Sequence, residues 1–217
     1  MKTNFHPSRR NATTRTDVLI VVATLVLLAA IFWPAITRPR VSRWNQCVSN
    51  LKQIGTAFRI WSNAGDRFSW FVLTNEGGTL EFAESTNVFL HFLAISNELG
   101  SSKILVCPKD SGKTPAKDFN TLDNQNLSYL LGLEADEGKP QTILSGDRNL
   151  STNGVALVNG IFILGTTNAL GWTTAIHNKN GNIGLSDGSV QQSSPAGLQK
   201  QWQAAKDSGA IGRVAIP

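Results

Sequence analysis

The sequence predicts an α+β fold: a long N-terminal helix, apolar in its first half and amphipathic in its second, packed on an antiparallel β-sheet with short extra helices. Three observations carry that prediction. Residues 18–36 contain no charged side chain. Apolar residues then recur at spacings of three and four from Val41 to Trp61. Further along, short β-prone runs alternate with Asn-Gly and Asp-Gly pairs.

The uncharged run, within TTRTDVLIVVATLVLLAAIFWPAI (residues 13–36), has 19 residues from 18 to 36. As a helix it extends about 28 Å, close to the thickness of a bilayer's hydrocarbon core. A secretory signal has a shorter apolar core, and no small-x-small site follows the run, so a retained single span is the expectation. Asp17 stands at its leading edge, where an acid faces the unpaired N–H groups of a helix start. Pro34 and Pro39 predict a bend or an end to the helix.

The amphipathic pattern comprises Val41, Trp44, Val48, Leu51, Ile54, Phe58 and Trp61, with Lys52 and Arg59 on other faces. A loop rich in Asn, Asp and Gly follows over residues 63–78, with Trp70 and Phe71 as core plugs. STNVFLHFLAISNELG predicts a short helix capped by Ser85 or Thr86 and ended by Gly100, with His91 buried and hydrogen-bonded. Residues 103–106 read as a strand and 109–126 as a surface loop. LSYLLGLEA and QTILSGDRN read as paired strands joined by the turn residues DEGKP.

VALVNGIFILG predicts two strands around a type I′ turn at Asn159-Gly160. Asn180-Gly181 and Asp187-Gly188 predict two further tight turns in a meander of TTAIH, NIGL and SVQQ. Ile183, Leu185 and Val190 should then face the 41–61 helix. Ser194-Pro195 opens a last helix with Leu198, Trp202 and Ala205 on one face.

Composition narrows the function. The chain has 217 residues, enough for one domain with a real core plus an extra element. Its charged fraction of 16% is below the usual quarter. The net charge of +5 is concentrated at Lys2, Arg9, Arg10 and Arg15 before the apolar run and Arg38, Arg40 and Arg43 after it. Cations so placed meet lipid headgroups, and nucleic acid is not an expected partner. With basic residues on both flanks, the charge pattern alone sets no orientation.

Cys47 and Cys107 have neither CxxC nor His-spaced partners, so no metal site is expected. They read as one disulfide in an oxidising compartment or as two separate buried thiols. No GxSxG, HExxH, P-loop or dinucleotide fingerprint is present, and the three histidines, His6, His91 and His177, lack acids or cysteines at motif spacing. An enzyme is therefore not expected. Asp187, in SDGS, reads as a turn former. DNQN (123–126) and HNKNGN (177–182) are rich in oxygens that could hold calcium but lack regular acidic spacing, and no other cofactor is expected.

Taken together, the acid, the apolar run and the proline resemble the N-terminus of bacterial type IV pilin-like proteins, of the pseudopilin kind found in type II secretion systems. Asp17 and Pro34 stand seventeen residues apart, which matches the family's acid-to-proline distance. RWNQCVSNLKQIGTAFRIW resembles the helix continuation of one branch, often Cys-x-x-Asn-Leu-Lys-Gln-Ile-Gly. ILVCPKD (104–110) resembles its second cysteine motif, and HNKNGNIGLSDGSV (177–190) its closing hairpin, marked here by His177, Gly181, Asp187 and Gly188.

The resemblance implies a leader cut by a prepilin peptidase between Ala12 and Thr13. Ala12 takes the place of the leader glycine, Thr13 of a phenylalanine and Asp17 of a glutamate, and Arg15 sits where the family is apolar. It further implies a basic leader at 1–12, a transmembrane helix at 13–37, an amphipathic continuation at 38–62 and a periplasmic α+β domain at 63–217. The chain would be a structural subunit in the inner membrane, assembling with other pilin-like subunits, with Asp17 as counter-ion for a neighbour's N-terminal amine. The alternative is a membrane-anchored extracytoplasmic binding module that forms no filament.

Overall fold

The computed structural model describes residues 14–36, 42–63, 67–165 and 169–217, with side chains as far as Phe32 in the first segment. The chain divides into two units, Met1–Val41 and Ser42–Pro217. It is α+β, with an N-terminal apolar helix and an antiparallel sheet.

In the first unit, helix α1 spans Arg15–Ile36 and continues through position 34. It is apolar all round, and its large side chains from Val18 to Phe32 are exposed by half or more. Residues 15–32 are long and apolar enough to cross a membrane. Ala12, Thr13 and the bend expected at Pro39 lie outside the described residues.

The second unit is organised by α2, Arg43–Ser62. Ser42 caps it by accepting a hydrogen bond from the Trp44 N–H. Its buried stripe is Cys47, Leu51, Ile54, Gly55, Ala57, Phe58 and Ser62. That stripe covers one face of an antiparallel sheet of β1 (Tyr129–Gly132), β2 (Ile143–Asp147), β5 (Gly160–Ile163), β7 (Gly181–Leu185), β8 (Val190–Ser193) and β9 (Arg213–Ile216). The spatial order is β5-β9-β1-β2-β7-β8. A smaller sheet of β3 (Leu150–Thr152), β4 (Val155–Ala156) and β6 (Leu170–Trp172) runs in the order β4-β3-β6.

Alternation along the strands makes two cores. Tyr129, Leu131, Leu144 and Ala215 join the α2 residues on one face. Leu130, Ile143, Ile183, Leu185, Val214 and Ile216 lie on the other. There they meet the small sheet and helix α5, Pro195–Asp207, through Leu198 and Trp202. Strands covered on both faces read as continuous apolar runs, which is why YLLG is buried throughout. At the far end of α2, Phe58 meets Phe68, Trp70 and Phe92 edge-on. His91 is buried beside them, its Nδ1 2.7 Å from Thr79 Oγ1.

Several expectations change. Residues 102–105 form a 3₁₀ turn, not a strand, because the Ser101 hydroxyl accepts from the Lys103 N–H and curls the chain. The helix in STNVFLHFLAISNELG is two pieces, α3 (Phe89–Ala94) and α4 (Ser96–Leu99). Val88 heads α3 without a side-chain cap, while Ser85 accepts instead from the Asn87 N–H. Gly100 does end α4, at φ +68°. Trp70 is a core plug, but Phe71 is exposed. Asp110, within the supposed surface loop, is buried.

β4 and β5 do not pair across Asn159-Gly160: β4 pairs with β3, and β5 with the unforeseen β9. The tight turn is Asn153-Gly154, both at positive φ (50° and 80°), as a type I′ turn requires. TTAIH is not a strand; β6 precedes it. Ile183 and Leu185 face α5 rather than α2.

Candidate functional site

The densest polar constellation lies under the start of α2. The helix places Trp44 and Cys47 one turn apart on the face toward the sheet. Cys107 follows the 3₁₀ turn, held in place where Asn50 Nδ2 donates to the Val106 carbonyl at 3.1 Å. The structure joins Cys47 to Cys107 by a disulfide with Cα atoms 5.0 Å apart. Both cysteines are fully buried.

His177 arrives from the segment after β6. Its ring stacks on Trp44, with centroids 4.8 Å apart and planes 23° apart. Its Nε2 lies 3.5 Å from Cys107 Sγ, 3.2 Å from Asn182 Nδ2 and 3.4 Å from Asp147 Oδ2. Asp147 ends β2 and Asn182 belongs to β7. Asp147 Oδ2 accepts from both the backbone N–H and Nδ2 of Asn182, at 2.7 and 2.9 Å.

The tautomer follows from donor chemistry. Indole N–H only donates, and Trp44 Nε1 donates to Asn182 Oδ1 at 2.7 Å. Asn182 must then turn Nδ2, also a donor, toward His177 Nε2. Nε2 is therefore an acceptor with a bare lone pair, and the ring proton sits on Nδ1.

The close Asp147–His177 approach is not an ion pair. Burial pushes the Asp147 carboxyl up to about 7 against the pull of its two Asn182 hydrogen bonds. Burial, with repulsion from Lys109, pushes His177 down to about 4 despite the attraction of Asp110. The imidazole is neutral, and the acid holds its proton up to near neutrality.

A second, charged pair borders this region. Asp110 accepts from Arg148 Nε and Nη2 at 2.7 and 2.8 Å. Burial works against ionisation of Asp110, but the guanidinium and the Gly112 N–H hold its carboxyl below its ordinary value.

The closing segment is fixed to α2 at two points. His177 stacks on Trp44, and the Asp187 carbonyl accepts from Arg59 Nη1 at 2.8 Å. Trp44 and Arg59 are fifteen residues apart, about 22 Å of helix. Gly188, at φ +85°, completes the turn between β7 and β8. Gly181 is not in a left-handed turn; Asn178 and Lys179 are. Gly181 instead lets the Trp172 ring come close, since a Cβ there would sit 2.6 Å from it.

Four of the oxygen-bearing side chains in DNQN and HNKNGN are engaged within the chain. Asp123 and Asn126 cap a 3₁₀ turn, Asn124 Oδ1 accepts from the Phe89 N–H, and Asn182 belongs to the buried cluster. Asp17 accepts from the Thr14 N–H at 2.9 Å, the contact of a helix start.

Sequence reasoning singled out His177 and the cysteines but not Trp44, Asp147, Asn182, Asp110 or Arg148 as their partners. Trp44 and Asn182 are 138 residues apart, so no spacing could announce them. The usable signal was weaker: Asp147 and Arg148 close the strand run ILSG, where a charge at a buried strand end needs partners. Comparison with family models, with curated proteins and with solved structures finds no match to this chain.

Proposed function

We propose that the chain is a pilin-like structural subunit, anchored in a membrane by α1, with Ser42–Pro217 outside the cytoplasm. The observation that carries this reading is the state of α1. Its large apolar side chains, from Val18 to Phe32, are exposed all round the helix. A helix apolar on every side needs lipid or other apolar helices as its surroundings. Asp17 fits the same reading. An unpaired carboxylate costs about 3 kcal/mol within a bilayer, and a neighbour's N-terminal amine would offset that cost and set the axial register of adjacent helices.

Disulfide crosslinking tests assembly. Single substitutions Val22→Cys, Leu25→Cys and Leu28→Cys in the full chain, oxidised in native membranes, should each give disulfide-linked dimers. A monomer at every position would favour the anchored binding module, which the cleft lined by Ile60, Trp61, Phe71 and Leu73 could serve. N-terminal sequencing of the membrane-extracted protein tests the amine. Thr13 as first residue supports the pairing with Asp17, and an intact Met1 or Lys2 sinks it.

A further inference from the structure

We propose that Cys47, Cys107, His177 and Asp147 are a latent zinc site, which binds one Zn²⁺ when the disulfide is reduced. The sulfurs of both cysteines and a ring nitrogen of His177 lie within 4.8 Å of one another. All three residues are buried.

Two edges of a zinc tetrahedron are already in place. With Zn–S near 2.3 Å and Zn–N and Zn–O near 2.0–2.1 Å, tetrahedral ligands stand about 3.6 Å apart for sulfur and nitrogen and about 3.4 Å for nitrogen and oxygen. Cys107 Sγ is 3.5 Å from His177 Nε2, and Nε2 is 3.4 Å from Asp147 Oδ2. The two sulfurs must separate to about 3.8 Å, and the Asp147 carboxylate must close on them as the fourth ligand.

The His177 donor is also in the right chemical state. Trp44, through Asn182, keeps the proton off Nε2, so its lone pair, which accepts from Asn182 Nδ2, is available for a metal to take over. Trp44 stacks on the ring and holds its plane. Asp147 Oδ1 is buried and has no hydrogen-bond partner among the described residues, which leaves the carboxylate spare binding capacity. The Asn182 N–H groups that reach Oδ2 would remain as outer support of a bound carboxylate.

The redox step balances with a low-molecular-weight thiol as reductant. Two thiols supply two electrons and two protons and leave as their own disulfide, while the Cys47–Cys107 bond breaks to two cysteine thiols. Zn²⁺ then binds both as thiolates and displaces their two protons, together with the Asp147 proton wherever that acid is still protonated. In either state α2 stays tied to the segment after the 3₁₀ turn, by a covalent bond or by the metal. This inference does not depend on the filament reading.

Cobalt(II) supplies the test. The full chain, solubilised in detergent and reduced, is titrated with Co²⁺ alone. One equivalent should produce a thiolate-to-cobalt charge-transfer band and tetrahedral d–d bands, and one equivalent of Zn²⁺ should abolish them. Oxidised protein should give neither. His177→Gln should weaken Co²⁺ binding at least tenfold, and Asp147→Asn tenfold to a hundredfold. Disulfide formation and a wild-type near-UV spectrum in each oxidised variant establish that it folds. Absence of the charge-transfer band in reduced wild type overturns the proposal, as does equal cobalt affinity in His177→Gln.

Discussion

At the scale of single residues, the second unit relies on polar side chains placed deep in its cores. His91 is fully buried, bonded to Thr79 Oγ1 and set edge-on to Trp70. Burial pushes its imidazole down to about 4, against the pull of the Phe82 backbone. The unfolded chain therefore binds a proton at this position between about 6.5 and 4 that the folded chain refuses. The associated stability is present above 6.5 and lost as pH falls through 4, by roughly 3 kcal/mol at most. His91→Gln should flatten that part of the stability–pH curve, measured by denaturant unfolding from pH 7 to 4.5. An unchanged slope would assign the pH dependence to other groups. Asp110–Arg148 obeys a different rule. Arg148→Met leaves a buried carboxylate unpaired and should cost about 3–5 kcal/mol in urea unfolding, whereas Arg148→Met with Asp110→Leu should recover much of the loss. A loss under 1 kcal/mol in the single variant would show that water reaches Asp110. None of this was legible in the sequence beyond the burial of His91, because each partner comes from a distant segment.

Among the elements, legibility followed the strength of local signals. α1 is an uninterrupted apolar run, and α2 repeats at three and four. α5 starts at Ser194-Pro195, and Ser194 Oγ accepts from the Gly197 N–H as a cap should. Ser194→Ala should cost about 1 kcal/mol, visible as a lowered midpoint in thermal or denaturant unfolding. No change would mean that packing of Leu198 and Trp202 alone sets the start of α5. Signals failed where a distant strand outbid a local turn. Asn159-Gly160 has hairpin chemistry, but β9 takes β5 as its neighbour, and Asn153-Gly154 makes the turn instead. β7 turns Asn182 and Gly184 toward α2, while Gly181, against Trp172, and the apolar Ile183 and Leu185 belong to the other core. A period of two identifies a strand with two faces but does not say which face meets which helix.

For the whole molecule, the disulfide is the longest-range covalent constraint, spanning 60 residues. Replacing both cysteines, Cys47→Ser with Cys107→Ser, should lower unfolding free energy by about 4 kcal/mol by the loop-entropy estimate. Equilibrium unfolding of both proteins in a metal chelator would measure it, and a loss below 1 kcal/mol would show that the remaining α2 contacts suffice. The α+β class was legible because the helical and strand patterns occupy separate stretches of chain. The order of the large sheet was not, since only contacts beyond local turns decide it. β9 lies between β5 and β1, yet it is the last of these strands in the sequence. A chain emerging N-terminus first can therefore form the β1-β2-β7-β8 meander early but leaves β1 and β5 with facing, unfilled edges. Until residues 213–216 are out, those edges can recruit any other extended segment. Timing is thus built into the strand order: the molecule closes its own vacancy last, and during that interval it is most open to pairing with a copy of itself.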